Sequence, residues 1–363
     1  MKIAIVHDEL LRKGGAERVV ISLHKLFPDA DIFTSAYNPD TTFEYFKECN
    51  IVTSFLQKVV KGDKMFMALF FPFGILAFRS FNFEGYDLII ISSAHGAQYI
   101  KKPKNALVIH YAHFLFRLIW EPESYNFYNK RLIKLFLWTP IRLLQKIDKY
   151  LTIRADHVVF NSQRTRDAYL KVFNPDKHQV IHPPIEIDSY SGDSEIGNYF
   201  LIVSRLEPYK KVSLVVEAFR QLDESLIVVG SGSQFAEINS QLPDNVSLEG
   251  NVSNDRLIQL YANCRAFIFP QLEDFGITPL EANAFGKPVI AYGKGGVLET
   301  MIPKGHSNPT ALFFNEQSVM AIRAALTDFE PTEYSAQDCI KNAMRFSESN
   351  FHDKILQVIN DNT

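Results

Sequence analysis

The sequence contains little cysteine, and the spacing of the three cysteines suggests no site. Cys49, Cys264 and Cys339 lie far apart, so they match neither zinc-ligand spacing nor an even-numbered disulfide framework. This usage is typical of a reducing compartment, and we expect a cytoplasmic protein.

The sequence also lacks an apolar run long enough to span a bilayer. The longest run, MFMALFFPFGILAF from Met65 to Phe78, has 14 residues and is interrupted by Pro72 and Gly74. The first residues, MKIAIVHDEL, reach acidic side chains too early for the apolar region of a signal peptide, and they predict a β-strand instead.

A large excess of charge of either sign is absent as well. With 38 basic and 41 acidic residues the net charge is −3, which argues against nucleic acid as the main ligand. The 363 residues, 47% of them apolar, are enough for two domains with large cores.

One segment is both basic and apolar. Residues 130–154 contain seven Lys or Arg and one acid, Asp148, among Leu, Ile, Phe and Trp. This composition predicts a pair of helices at a membrane surface, and residues 65–78 could join them there. Packed helices with solvated basic faces explain both stretches equally well.

Apolar β-branched runs alternate with helical patterns in both halves, which predicts two doubly wound α/β domains. We expect strands at residues 2–6, 87–92, 106–111, 157–161, 179–182, 199–204, 225–229, 246–249, 266–270 and 288–291. The expected domains are residues 1–182 and 199–345, joined by a Pro-, Ser- and Gly-rich linker at 183–198. Residues 346–363 form a terminal helix that packs across a domain surface.

The loop after the first strand, HDELLRKGGAERVV, lacks the G-x-G-x-x-G spacing of a dehydrogenase. Gly14 and Gly15 precede a helix at 16–26, where a ligand could approach backbone N–H groups, although a plain tight turn fits equally well. Asp29 and Asp31 precede a strand and so lie at the opposite edge of the sheet from ligands, as a solvated turn.

The segment QLEDFGITPLEANAFGKPVIAY follows a predicted strand and carries two acids. Thr278, Pro279 and Glu281 predict a helix start with a capping box, and Gly286 ends that helix. Glu273 would then lie near free helical N–H groups that favour phosphate or sugar oxygens, unless it is only a solvated loop acid and Glu281 only a cap.

Arg205 and Lys210 follow the first strand of the second half, at the same edge of the sheet. Two fixed cations there would stabilise the charge that a departing diphosphate develops. Each residue taken singly is more often part of an ordinary surface.

Together, SRLEPYKKVSLVVEAF, EDFGITPLE and GKPVIAYGKGGVLET resemble glycosyltransferase family 4, and GGAERV matches the first loop of that family. These are retaining nucleotide-sugar enzymes of the GT-B fold, with two Rossmann-like domains facing a cleft. The resemblance covers nearly the whole chain.

The resemblance implies a role for each matching residue. Arg205 and Lys210 would hold the donor diphosphate above Gly15 and its neighbour Gly14, Glu273 would face the sugar hydroxyls, and Glu281 would bind the ribose. The other implied donor contacts are the base pocket near Gly230 and Val252 and the backbone N–H groups of Phe275, Gly276 and Ile277.

In the first domain, HYAHFLFRLIWE resembles the family's tyrosine-x-histidine stretch, which places His113 beside the reacting sugar. Phe114 and Leu115 stand where relatives in polysaccharide synthesis have Thr-Pro, so the acceptor loop departs from their pattern.

The segment around Glu273 resembles bacterial mannosyltransferases that use GDP-mannose in O-antigen or capsule synthesis. The acceptor would then be a saccharide, free or linked to polyprenyl diphosphate at the inner membrane surface, and no essential metal is expected. A UDP-sugar donor, a nucleotide-sugar 2-epimerase of the same fold and a non-catalytic sugar-binding protein remain alternatives.

Overall fold

The structure is a computed structural model that describes residues 1–60, 73–122, 131–185 and 197–363. The chain divides into a first domain, Met1–Pro184 with Phe351–Thr363, and a second domain, Ile185–Asn350. The division falls at the start of the expected linker, whose residues 186–196 lie outside the described part, as do residues 65–72 of the apolar run.

The first domain contains a seven-stranded parallel sheet of order β3-β2-β1-β4-β5-β6-β7. Its central strands are buried along their whole length and are apolar except at their carboxyl ends, as expected of a parallel sheet covered on both faces. The strands are β1 Ile3–His7, β2 Asp31–Thr34, β3 Ile51–Thr53, β4 Leu88–Ser93, β5 Leu107–Ala112, β6 His157–Phe160 and β7 His178–Val180.

The second domain repeats this plan with a six-stranded parallel sheet of order β10-β9-β8-β11-β12-β13. The strands are β8 Tyr199–Val203, β9 Ser225–Val229, β10 Val246–Gly250, β11 Ala266–Phe269, β12 Val289–Tyr292 and β13 Ala311–Phe314. Two doubly wound α/β sheets confirm the predicted fold class. All ten strands for which bounds were expected are present, and β3 and β13 are additional. The strand expected directly after Asp29 and Asp31 is β2, which already begins at Asp31.

Helices connect the strands and cover both sheets. Those of the first domain are α1 Gly15–Leu26, α2 Arg117–Trp120, α3 Arg131–Leu151 and α4 Gln163–Leu170. In the second domain they are α5 Val212–Phe219, α6 Phe235–Asn239, α7 Asn254–Asn263, α8 Ile277–Ala284, α9 Val297–Thr300, α10 Val319–Asp328 and α11 Ala336–Met344.

The last helix, α12 Glu348–Asn360, returns to the first domain. Its buried residues Phe351, Ile355 and Val358 join the same apolar core as β1 and β4. The ring of Phe351 meets that of Tyr111 edge to face, with centroids 5.9 Å apart. The C-terminal segment therefore completes the core of the domain in which the chain begins.

The basic and apolar segment forms one helix, α3, with Pro140 inside it. The expectation of a helix pair is wrong in this respect, because the helix continues through the proline. Among the described residues, no helix is both long enough and apolar enough to cross a membrane.

Both sheets change direction at one point, between β1 and β4 in the first domain and between β8 and β11 in the second. Ligands of open α/β sheets bind beyond the carboxyl ends of the strands at such switch points. The segments after β1, β8 and β11 carry most of the sequence-predicted site residues, whereas His113 follows β5, Gly230 follows β9 and Val252 follows β10.

Candidate functional site

In the second domain, the loops after β8 and β11 are joined by an ion pair between Lys210 and Glu273. Lys210 ends a short 3₁₀ turn, Pro208–Lys210, and is almost buried, whereas Glu273 is half-buried. Arg205 is exposed on the same loop and donates a hydrogen bond to the Tyr209 hydroxyl at 2.7 Å. The structure thus brings together two of the predicted donor residues and places the third on the same loop.

The loop after β9 packs closely against the loop after β8. A Cβ atom at Gly230 would overlap the carbonyl oxygen of Ser204, and one at Gly232 would approach the Leu206 carbonyl oxygen to 2.5 Å. Leu206 N–H donates to the Ser231 carbonyl at 2.9 Å, and the Ser233 hydroxyl donates to Glu207 at 2.6 Å. These two hydrogen-bonded loops contain Arg205, Lys210 and Gly230.

The Ser233 hydrogen bonds also lower the pKa of Glu207. Val252, the other residue expected near the base, is half-buried just beyond β10.

The acidic loop after β11 packs closely against two glycines, Gly295 and Gly296, to which the sequence analysis gave no role. Gly296 N–H donates to the Glu273 carbonyl at 2.8 Å, and a Cβ atom at Gly296 would overlap the carbonyl oxygen of Asp274. A Cβ atom at Gly295 would overlap the Glu273 carbonyl oxygen. The glycine pair in GKGG, directly after β12, was the available signal for this close approach.

The predicted capping box is absent, and that expectation is wrong. Helix α8 begins at Ile277, one residue before the expected cap, and its N-cap is Gly276 at φ 87°, with no side-chain cap. Glycine adopts this left-handed conformation without steric cost, so the chain can enter the helix early. Because the N-cap residue is a glycine, it offers no side chain to the first-turn N–H groups of α8.

Glu281 instead points into the second domain, where it is buried and accepts a hydrogen bond of 2.9 Å from the Tyr261 hydroxyl. The Tyr261 ring stacks on Phe285, with centroids 5.4 Å apart and planes 8° from parallel. Gly286, at φ 72°, follows the helix end as expected. The orientation of Glu281 therefore depends on Tyr261, which no sequence motif indicated.

In the first domain, His113 follows β5 and is buried. Its Nε2 lies 2.8 Å from the Ser92 hydroxyl, which is also 3.2 Å from Nδ1 of His7. Burial is the largest cause that lowers the pKa of His113, to about 3, and nearby His7 and His110 lower it further. His113 is therefore a neutral imidazole with a fixed orientation.

Asp8 ties the loop after β1 to the loop after β4. Its buried carboxylate accepts four backbone N–H bonds of 2.6 to 3.1 Å, from Ala94, His95, Gly96 and Ala97. Four such donors satisfy both carboxylate oxygens, so Asp8 fixes the switch point of this sheet.

Glu9, the next residue, pairs with Arg12 and lies 3.1 Å from Nε2 of His95. Burial opposes ionisation of both groups, but the neighbouring opposite charges prevail. The pKa of Glu9 is lowered to about 2, mainly by His95, and that of His95 is raised to about 9, mainly by Asp8 and Glu9. The loop before α1 thus contains a buried ion-pair network.

Gly14 is the N-cap of α1, and a Cβ atom there would approach Oε2 of Glu17 to 2.5 Å. Glu17 is buried, and its pKa is raised chiefly by desolvation. A side chain at Gly14 would therefore require the carboxylate of Glu17 to move. Helix α1 begins at Gly15, one residue before the start that the sequence predicts.

Asp8, Glu9 and His95 are the one group among the described residues with three metal-ligand atoms within 4.8 Å of one another. The geometry does not suit a cation, because the Asp8 oxygens already accept four N–H bonds.

Two family models match the sequence. Residues 13–189 match the family described as Glycosyltransferase Family 4, and residues 186–346 match Glycosyl transferases group 1.

Similar sequences include two named mannosyltransferases. The Alpha-1,3/1,6-mannosyltransferase ALG2 of Candida glabrata is 26% identical, over 83% of this chain and 78% of its own length. The O-antigen chain mannosyltransferase RfbU of Salmonella typhimurium is 28% identical, over 49% of this chain and 52% of its own.

Solved structures with the same fold include sucrose-phosphate synthase from Thermosynechococcus elongatus, at a TM-score of 0.77 and 18% identity over 99% of both chains. Anabaena HepE in complex with UDP-glucose has a TM-score of 0.68 and 19% identity over 99% of this chain and 100% of its own. At this identity the likeness shows the fold alone, which is the GT-B fold expected from the sequence.

Proposed function

This chain is a glycosyltransferase of family 4 that resembles mannosyltransferases, and from that premise we propose that it transfers mannose from GDP-mannose with retention of configuration. The observation that carries the proposal is the pairing of Lys210 with Glu273 at the switch point of the second sheet. A cation and a carboxylate held side by side suit a donor that offers a diphosphate next to sugar hydroxyls.

The proposed reaction breaks the bond between the sugar C1 and the diphosphate oxygen. An acceptor hydroxyl forms the new C1–O bond on the face from which the diphosphate leaves, and its proton passes to the leaving diphosphate. Arg205, Lys210 and the N-terminal N–H groups of α8 would stabilise the charge that develops there.

The remaining assigned residues would position the donor and acceptor. We assign the ribose to Glu281, which Tyr261 orients, the backbone N–H groups of Phe275, Gly276 and Ile277 to sugar and phosphate oxygens, and the base to the loops carrying Gly230 and Val252. In the first domain, His113 would contact the reacting sugar, and Gly14 and Gly15 would lie under the diphosphate. Holding reactants in place is itself a large part of such catalysis.

The choice of mannose as the transferred sugar rests on the relatives, since both named above are mannosyltransferases. UDP-glucose, which HepE binds, supports the second candidate, a UDP-sugar donor. We propose a saccharide or lipid-linked saccharide acceptor in cell-surface polysaccharide synthesis, at the inner face of the cytoplasmic membrane. The O-antigen named for RfbU supports the part of this proposal that concerns polysaccharide synthesis.

We propose further that no bound metal is required, because Arg205, Lys210 and the start of α8 already supply positive potential. Activity that is lost in EDTA and restored by Mn²⁺ would contradict this.

A donor screen tests the proposal. The protein is incubated with GDP-mannose, UDP-glucose and ADP-glucose, and its melting temperature and released products are measured. Stabilisation by GDP-mannose above the other two, with slow release of free mannose, is the expected result. A free 2-epimer would indicate an epimerase, and binding without turnover would indicate a binding protein. A preference for UDP-glucose would show that the donor is a UDP-sugar and not GDP-mannose.

A further inference from the structure

Helix α3 exposes a face that is both basic and apolar, and this feature plays no part in the transfer reaction. Its sequence holds five Lys or Arg but a single acid, Asp148. Six of the exposed side chains from residue 138 onwards define what we call the α3 face: Trp138, Arg142, Leu143, Lys146, Lys149 and Tyr150.

The only acid of α3 is absent from this face. Asp148 is buried on the opposite side, where it accepts hydrogen bonds from the Tyr99 hydroxyl at 2.6 Å and from Nε1 of Trp120 at 2.7 Å. Within the described part of the chain, no acidic side chain forms an ion pair with Arg142, Lys146 or Lys149. The α3 face is therefore uniformly positive.

Large apolar side chains lie between these charges. Trp138 is 56% exposed, Leu143 58% and Tyr150 86%, and the guanidinium of Arg142 lies 5.8 Å from the Trp138 ring centroid. Trp and Tyr combine an apolar ring with a polar group, which favours the region between lipid headgroups and acyl chains.

A second exposed apolar segment adjoins the helix. Residues 73–79 are helical, and their Ile75 lines a small cavity together with Leu144 and Ile147 of α3. Phe73 and Leu76 of the same segment are 42% and 57% exposed. This segment therefore contacts α3 through Ile75 and exposes two apolar side chains of its own.

We propose that the α3 face docks this protein on an anionic lipid bilayer. Its positive charge complements anionic headgroups, and its rings and Leu143 reach the interface between them. Each Lys or Arg near an anionic surface contributes about fivefold to binding, so three together contribute about 100-fold. The docking depends on none of the residues assigned to the donor.

The test compares vesicle binding by two triple variants. Arg142→Gln, Lys146→Gln and Lys149→Gln remove the charges of the α3 face while keeping good helix formers. The control removes three exposed lysines elsewhere, with Lys171→Gln, Lys341→Gln and Lys354→Gln. Vesicles of phosphatidylglycerol with phosphatidylcholine, and of phosphatidylcholine alone, are sedimented with each protein at low and high salt.

We expect the wild type and the control to bind the anionic vesicles at low salt, and the α3 triple variant to bind about 100-fold more weakly. Equal binding by the two triple variants, equal binding to neutral vesicles, or no binding at low salt would overturn the proposal.

Tryptophan emission gives a second readout. The sequence has two tryptophans, and only Trp138 is on the α3 face. Anionic vesicles should shift the emission to shorter wavelength, and Trp138→Phe should abolish the shift. An unchanged shift in that variant would also overturn the proposal. The melting shift with GDP-mannose, measured on the α3 triple variant without vesicles, tests donor binding separately.

Discussion

The most direct residue-level test concerns Glu281. Glu281→Gln keeps an oxygen that can accept the Tyr261 hydrogen bond, so the fold should persist, while the charge offered to the donor is lost. We expect transfer to fall by about a hundredfold, as when an important polar contact in a transition state is removed. Circular dichroism and steady-state kinetics check this.

Tyr261→Phe is the matched variant, because it removes the partner and leaves the carboxylate. It should cost about 1 kcal/mol of stability and lower the rate less than Glu281→Gln does. A normal kcat for Glu281→Gln at saturating GDP-mannose would disprove the donor role.

Arg205 and Lys210 should both matter for the rate. Arg205→Ala and Lys210→Met should each lower kcat/KM by about a hundredfold or more, because each removes positive charge from the leaving diphosphate. Arg220→Ala is the control, since Arg220 pairs with Glu217 on the surface of the same domain. A loss below threefold for Arg205 or Lys210 would show that residue to be ordinary surface.

Because some histidines are buried in their neutral form, the folded protein should lose stability in acid. Burial lowers the pKa of His110 to about 4, below the unfolded value of 6.5, so below pH 6.5 the unfolded chain binds more protons. Between pH 6.5 and 5 this histidine alone should cost about 2 kcal/mol of stability.

His95 makes the stability of the fold depend on pH in the opposite direction. Its pKa of about 9 provides stability that is complete below pH 6.5 and is lost as the pH rises through 9.

Thermal unfolding of the wild type and His110→Gln at pH 7 and 5 isolates the His110 contribution. The variant should lose less stability on acidification, and an equal loss in both would contradict the assignment.

At the scale of elements, the loop after β11 depends on Gly296. Its φ of −61° suits any residue, so only the overlap of a Cβ atom with the backbone of Asp274 and Phe275 forbids a side chain. Gly296→Ala should therefore shift the Glu273 loop and cost about 1–3 kcal/mol of stability, together with transfer activity. Melting temperature and kcat/KM measure the two effects.

Gly293→Ala, three residues earlier, is the control, since its Cβ atom would only approach the Cβ of Phe313 to 3.1 Å. Equal effects of the two substitutions would show that the contact at Gly296 is not special.

The elements that sequence patterns missed are short and local. Strands β3 and β13 have three and four residues, too few for a period to stand out from a buried helix segment or a turn. The capping box failed for another reason: T-P-L-E fits the motif, but Gly276 lets α8 begin earlier and Tyr261 binds Glu281. Tertiary contacts overrode the local preference.

At the scale of the whole molecule, alternating strand and helix patterns predicted two parallel sheets, and the topological rule indicated which loops matter. Arg205, Lys210 and Glu273 could be placed at one sheet edge because each follows a strand. The network of Asp8, Glu9 and His95 could not be predicted, since it joins loops more than eighty residues apart. Polar residues directly after β1 and β4 were its only sign.

Retaining mannosyl transfer is the central claim, and the configuration of the first released sugar tests it most directly. With water as acceptor, GDP-mannose is hydrolysed and the anomeric proton of free mannose is followed by NMR before mutarotation. Retention predicts that α-mannose appears first, at a rate that Glu281→Gln greatly reduces. Initial release of β-mannose, or release as fast with Glu281→Gln as with the wild type, would contradict it.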